Sequence, residues 1–479
     1  MQKHILIKMV LLLIFAASLA PAQEIDRAKK PEAGPEPQLV IPIPQKVVLS
    51  NGLALWLVEH HELPMVQMRM IIKSGSTEDP AGKAGVASFT AAMLDEGTKT
   101  RDLFAIEDDL DFIGANLNTG SSWDGSFITL TTLVKHLDKA LEIFADVILN
   151  PVFPPKEFER LKDQRLTSLL QEKDQPVVLA NKAFARVLYG ETHPYGQPEE
   201  GSENSVKTIT REDLVNFYRH YYVPNNATLL VVGDLTLKDL QPRITKAFMT
   251  WKKKITKRPS LTAPGKSTGV RIFLVDKPEA AQSEIRVGQI GVARDTKDYF
   301  PLTVLNTILG GQFSSRLNLN LRENKGYTYG ARSSFSMRRL AGPFTAQAGV
   351  KTAVTDSALI EFMKEIRNLS EQPVSLEELT FAQSTLTRSL PRQLETPGQL
   401  ISQMSEAVLY NLPDNFLNTM IPNIQAVTVE DVQRVARTCL NPKNLTVVIA
   451  GDVAKIRDGL QKLGYGPVAV YDLDTGTIR

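Results

Sequence analysis

Residues 210–234 read TREDLVNFYRHYYVPNNATLLVVGD, and residues 428–452 read TVEDVQRVARTCLNPKNLTVVIAGD. The second stretch follows the first at a constant offset, with no gap. Thr, Glu, Asp, Pro, Asn, Thr, Gly and Asp coincide in order, and apolar positions match between them. Each copy opens on a Thr suited to cap a helix and places acids in the first turn. Each then stops at a Pro and enters an apolar strand ending in Gly-Asp. Two generic helix–strand units do not share that many polar positions in register by chance. The chain is read as a duplication.

The copies divide the sequence into an N-terminal lobe, 46–253, and a C-terminal lobe, 269–479. Between them, 254–268 is charged and holds Pro and Gly, the composition of a linker. In the first lobe, 47–49 and 53–58 flank Ser50-Asn51-Gly52 and predict a hairpin. Residues 66–72 predict a further strand, and 84–94 a helix. Leu137, Ala140, Leu141, Phe144, Ala145 and Ile148 recur at helical spacing. Residues 155–173 and 177–188 predict two more helices. Strands come as hairpins as well as singly. That favours an α+β fold of two duplicated lobes, each a mainly antiparallel sheet packed with helices, over a doubly wound parallel sheet.

The N-terminus reads differently. Lys3 and Lys8 flank an apolar run, and Ala20-Pro21-Ala22 has the form of a cleavage site, so 1–22 read as a secretory signal peptide. The run is too short to span a bilayer, so no stable membrane insertion is expected. Residues 23–45, rich in Pro, Glu, Lys and Gln, read as an extended leader. Export to the periplasm is the expected address. The 479 residues carry 55 Lys+Arg against 53 Asp+Glu, and cleavage of the signal peptide removes two lysines. A neutral mature chain has no electrostatic footprint for nucleic acid. The one cysteine, Cys439, excludes an internal disulfide and reads as packed. A composition of 43% hydrophobic and 23% charged residues excludes a disordered or multispanning chain.

Four stretches carry a family resemblance. They are GVASFTAAMLDEGT (85–98), GANLN (114–118), LGGQFSSRL (309–317) and LRENKGYTY (321–329). In this order, with the duplicated Gly-Asp segments, they resemble the pitrilysin/insulinase metallopeptidases, which include the mitochondrial processing peptidases. The resemblance implies the LuxS/mitochondrial-processing-peptidase-like metallohydrolase fold and an inverted His-x-x-Glu-His zinc motif. That motif is lost: Ser88, Ala91 and Ala92 stand at the His, Glu and His positions. Two His one turn apart can share a zinc, and the Glu can take a proton from its water; Ser, Ala and Ala can do neither. The family's third ligand, a Glu, corresponds to Ser168-Leu169-Leu170, and the nearest acids, Glu159 and Glu172, miss the spacing.

The histidines agree. His4 leaves with the signal peptide, and of His60, His61, His136, His193 and His220 no two are three or four apart. An autonomous metallopeptidase with other ligands has no cluster to work from, and Ser88 has no base placed for it in sequence. The chain is expected to hold no cofactor itself.

What the resemblance implies to be intact lies in the second lobe. Heteromeric members split the work: one chain carries zinc, and a homologous chain carries an Arg/Tyr pair, here Arg322 and Tyr329. A guanidinium and a phenol are donors suited to a carbonyl that becomes an oxyanion. Gly310, Gly311, Phe313 and Ser314 match a substrate-side glycine loop, and Asn118 an edge strand that pairs with peptide backbone. The expectation is a zinc-less subunit that binds extended peptide and serves a homologous zinc-bearing peptidase subunit. The alternative is a non-catalytic peptide-binding or scaffold protein of the same family.

Overall fold

The computed structural model describes residues 41–265 and 268–479, together with Gly34. The expected signal peptide and residues 23–33 and 35–40 of the expected leader lie outside the described residues. The N-terminal lobe runs β1 (Gln45–Val48), β2 (Ala54–Glu59), β3 (Met65–Ile72), α1 (Val86–Ala92), α2 (Leu103–Phe112), β4 (Asn116–Ser121) and β5 (Ser126–Leu133). It continues with α3 (Leu137–Leu149), α4 (Pro155–Glu172), α5 (Pro176–Tyr189), α6 (Glu203–Thr208), α7 (Arg211–Tyr221), β6 (Ala227–Gly233) and α8 (Leu237–Ala247). The C-terminal lobe runs β7 (Arg271–Asp276), β8 (Gln282–Ile290), α9 (Tyr299–Leu309) and α10 (Arg316–Asn318), which passes into a π-helical turn, Leu319–Asn324. Then come β9 (Thr328–Phe335), β10 (Pro343–Lys351), α11 (Thr355–Glu371), α12 (Leu376–Ser389), α13 (Pro397–Tyr410), α14 (Phe416–Gln425), α15 (Val429–Cys439), β11 (Thr446–Gly451), α16 (Val453–Lys462) and β12 (Val468–Val470).

The two sheets repeat one topology over five strands and differ in the sixth, where β1 is antiparallel to β2 but β12 is parallel to β7. The first is ordered β1-β2-β6-β3-β5-β4 and the second β12-β7-β11-β8-β10-β9. Both are mixed and mainly antiparallel; β2 runs parallel to β6, as β7 does to β11 and β12. The duplicated segments fold alike. Thr210 and Thr428 cap α7 and α15 in reciprocal boxes: each Thr accepts from the N–H of Asp213 or Asp431. The Asp carboxylate in turn accepts from the Thr N–H. The strands that follow, β6 and β11, are buried at every position.

Full burial of these strands requires cover on both faces, and the two lobes supply it to each other. Helices of its own lobe pack on the inner face of each sheet. The outer face of the first sheet is covered by α13: Leu400, Ile401, Met404 and Val408 pack with Val58, Ile71, Leu230 and Val232. The outer face of the second is covered by α5, where Ala180, Ala183 and Phe184 pack with Phe273, Val275, Val448 and Ala450. The lobes therefore exchange one helix each.

Polar contacts join them as well. The loop between β9 and β10 reaches into the first lobe, where Arg339 donates to Glu78 at 3.0 Å and to Thr77 at 3.1 Å. Asp124 accepts from Arg339 N–H, Tyr195 OH and Tyr410 OH. Arg338 lies over the Trp123 ring at 3.4 Å. Ile41 exchanges two hydrogen bonds of 2.8 Å with the Asn418 side chain on α14. Among the described residues no helix is long and apolar enough to cross a membrane.

Candidate functional site

The helix α1 starts under unusual constraint. Gly85 has φ +102°, and a Cβ there would meet the Glu200 carbonyl at 2.8 Å. The Asp79 carboxylate accepts from the N–H groups of Gly85 and Ala87, both at 2.7 Å. Burial pushes this carboxyl up to about 8, against the lowering effect of those two bonds. One turn on, Ser88 is buried and donates to the Glu199 carbonyl at 2.9 Å. Its Oγ accepts from Arg165 Nη1 at 2.7 Å.

Arg165 is the residue that the sequence reading missed. It projects from α4 with a side chain 12% exposed. Its guanidinium lies 4.8 Å from the Phe89 ring centroid and also reaches the carbonyls of Gly85 and Glu200. Nη2 meets Glu200 Oε2 at 3.3 Å. Burial lowers its pKa from the ordinary arginine value. A cation bonded to the residue at the first ligand position, with Ala91 and Ala92 beyond it, is the opposite of a zinc donor set. Ser168 and Leu169 line the same cavity as Ala92, so α4 stands opposite α1 as the resemblance implies. Glu172 is paired with Lys182, and Glu159 is exposed. Among the described residues no group of three or more His, Cys, Asp or Glu is placed to hold a metal ion. The residues present do not fit zinc.

The C-terminal candidates form a second surface. At the end of α9, Gly310 and Gly311 both donate to the Asn306 carbonyl, at 2.9 and 2.7 Å. The Gly310 carbonyl accepts from Ser333 N–H at 3.1 Å, and a Cβ at Gly310 would fall 2.3 Å from that nitrogen. The glycines thus let the loop lie directly on β9. Asn318, also unremarked in sequence, fastens the rest: Nδ2 donates to the Phe313 carbonyl at 2.7 Å and Oδ1 accepts from Ala331 N–H at 3.1 Å. The ring of Phe313, 59% exposed, carries the Arg322 guanidinium at 4.6 Å. Arg322 sits on the π-helical turn, with Nε 3.3 Å from Glu323. Gly326, at φ +64°, turns the chain into β9, where Tyr329 is 89% exposed. Ser314 is exposed beside Phe313.

Asn118 stands apart from this group, on β4, the edge of the first sheet, where its side chain donates to Asn116. The two sheet edges differ. Beside β9, the N–H groups of Ala331 and Ser333 are taken by Asn318 Oδ1 and the Gly310 carbonyl. Along β4, among the described residues, no strand follows, and α1 packs against it.

Comparisons with known proteins agree with this arrangement. The profile of the insulinase family, peptidase family M16, matches residues 56–188, and that of the peptidase M16 inactive domain matches 208–386. The chain belongs to the insulinase family. It is similar to the uncharacterized zinc protease YmxG of Bacillus subtilis, with 24% identity over 82% of this chain and 95% of that one. It is also similar to the non-peptidase homolog YmxG of Helicobacter pylori, with 25% identity over 83% and 91%. Among solved structures, a peptidase M16 inactive domain from Pseudomonas fluorescens superposes with a TM-score of 0.80 and 28% identity, covering 85% of this chain and 98% of that one. A protease from Helicobacter pylori gives the same TM-score at 22% identity, covering 86% and 100%, and shares the fold. Within the family this chain is an inactive peptidase homologue: at the positions of the motif it has Ser88, Ala91 and Ala92.

Proposed function

We propose that this chain is the zinc-less subunit of a heterodimeric insulinase-family metallopeptidase, exported to the periplasm, and that it binds extended peptide together with a homologous zinc-bearing partner. The observation that carries the reading is the contrast between its two surfaces. The α1–α4 face has lost its donors to a buried arginine, while Arg322 and Tyr329 remain presented to solvent. Hydrolytic chemistry comes from the partner's metal. In this chain, Arg322 and Tyr329 donate hydrogen bonds to the substrate carbonyl and gain strength as its oxygen becomes negative. Stacking on Phe313 holds the guanidinium in place for that. Backbone pairing on β4 keeps the peptide extended.

The test mixes this chain, its zinc-bearing homologue and an unfolded peptide. Peptidase activity rises on mixing, and Arg322→Ala or Tyr329→Phe lowers kcat about 10²–10³-fold, the cost of one lost oxyanion donor. Activity of the partner that neither this chain nor Arg322→Ala changes refutes the reading. The open edge of β4 favours a second reading, a peptide-binding or scaffold protein without hydrolysis. Binding of peptide by this chain with no effect on any partner's turnover supports that one.

A further inference from the structure

Between α1 and α4 lies a cavity of about 290 Å³, lined by Ala92, Gln164, Arg165, Ser168, Glu172 and Glu200 among others. Three features make it more than a scar of the lost motif. The guanidinium in its wall is held from behind by Ser88 Oγ and two carbonyls and faced by the Phe89 ring, so its orientation is set before any ligand arrives. The carboxylate now beside it belongs to Glu200, whose side chain is 62% exposed and lies on a surface loop. That contact shows the kind of group Nη2 donates to, and the exposure of Glu200 lets another carboxylate take its place. Glu172, the other acid in the wall, is already neutralised by Lys182. Finally, α1 lines the cavity with Ala92 and also packs against β4, the edge strand with which, among the described residues, only β5 pairs.

We infer that this cavity is a carboxylate subsite: it receives the C-terminal carboxylate of an extended peptide whose preceding residues add to β4. Arg165 supplies the charge, and Gln164 and Ser168 supply further hydrogen-bond donors. The ligand class is the free acid end that every peptide hydrolysis creates. The inference rests on the peptide-binding reading above and narrows it to peptides with a free end. The carboxylate could instead be a Glu side chain near the end of a longer chain, and the experiment separates the two.

Fluorescence anisotropy on the full chain, without partner, compares three labelled N-acetylated octapeptides of one Val/Thr/Ser sequence. One ends in a free carboxylate, one in a carboxamide, and one in a carboxamide with a penultimate Glu. The free acid binds about tenfold tighter than the plain amide, the value of one charge-assisted bond. Arg165→Gln abolishes that difference, and Glu200→Gln widens it by removing the competing carboxylate. Should Arg165→Gln not fold, Glu200→Gln still decides, because Glu200 is exposed. Equal binding of acid and plain amide overturns the subsite and leaves peptide binding standing. So does an acid preference that neither variant changes. Recovery of the full preference by the penultimate-Glu amide assigns the carboxylate to a side chain and overturns the terminal assignment. Binding of no peptide at all overturns the subsite and the partner-free peptide-binding reading, and the mixing experiment with the zinc-bearing homologue decides the subunit reading separately.

Discussion

Arg165 and Ser88 show how the loss of a ligand set redirects a site. A serine that accepts from a guanidinium at 2.7 Å settles a cation against α1 without any metal ligand. The same neighbourhood stores unfavourable charge. Glu199, whose carbonyl receives Ser88, has its carboxyl pushed up to about 7, by burial first and with Arg338 opposing. A carboxyl raised in the fold favours the folded state below its unfolded value near 4.5 and loses that contribution as pH rises through about 7. Glu199→Gln removes the titration. Relative to the unaltered chain, the variant therefore gains on the order of 1–3 kcal/mol between about pH 5 and pH 8. Thermal melts at the two pH values check this, and a difference independent of pH contradicts it. Gly310 carries a separate expectation. A methyl group 2.3 Å from Ser333 N must push the loop off β9, so Gly310→Ala costs about 1–3 kcal/mol in urea unfolding.

At the scale of elements, α5 and α13 decide how much of the architecture a sequence can disclose. The repeat around 210–234 and 428–452 was legible because caps, acids, Pro stops and all-apolar strands are local chemistry. The family motifs then located the Arg322 loop and the β4 edge. An amphipathic helix, by contrast, states that it has a partner and not which one. Nothing in residues 397–410 says that Ile401 and Met404 insert against the sheet of the opposite lobe. For the same reason Arg165 was invisible: a charge on a long polar helix reads as solvated, and only the fold turns it inward against Ser88. Asn318 had no signal at all beyond being one polar residue among several. The exchange makes Met404→Ala a test of position. It costs about 2–5 kcal/mol, as a core truncation does. Hydrogen exchange of β6, more than 170 residues away in sequence, then quickens along with α13. Protection of β6 that stays unchanged argues against the packing.

For the whole molecule, each lobe leaves one sheet face that its own helices do not cover. Expressed alone, residues 41–253 expose Val58, Ile71, Leu230 and Val232 and strand the apolar face of α5. That fragment is expected to aggregate or bind hydrophobic dyes, and co-expression with 268–479 to restore solubility and a single cooperative melt. A well-folded monomeric fragment contradicts the exchange. The swapped helices also bear on descent. Once a doubled gene had let each half clothe the other, neither copy could drift, be lost or be shuffled into another protein by itself. Changes on the inner side of α5 must be answered in β7 and β11, and changes on α13 in β2, β3 and β6, so the two halves are bound to evolve as a pair of matched castings.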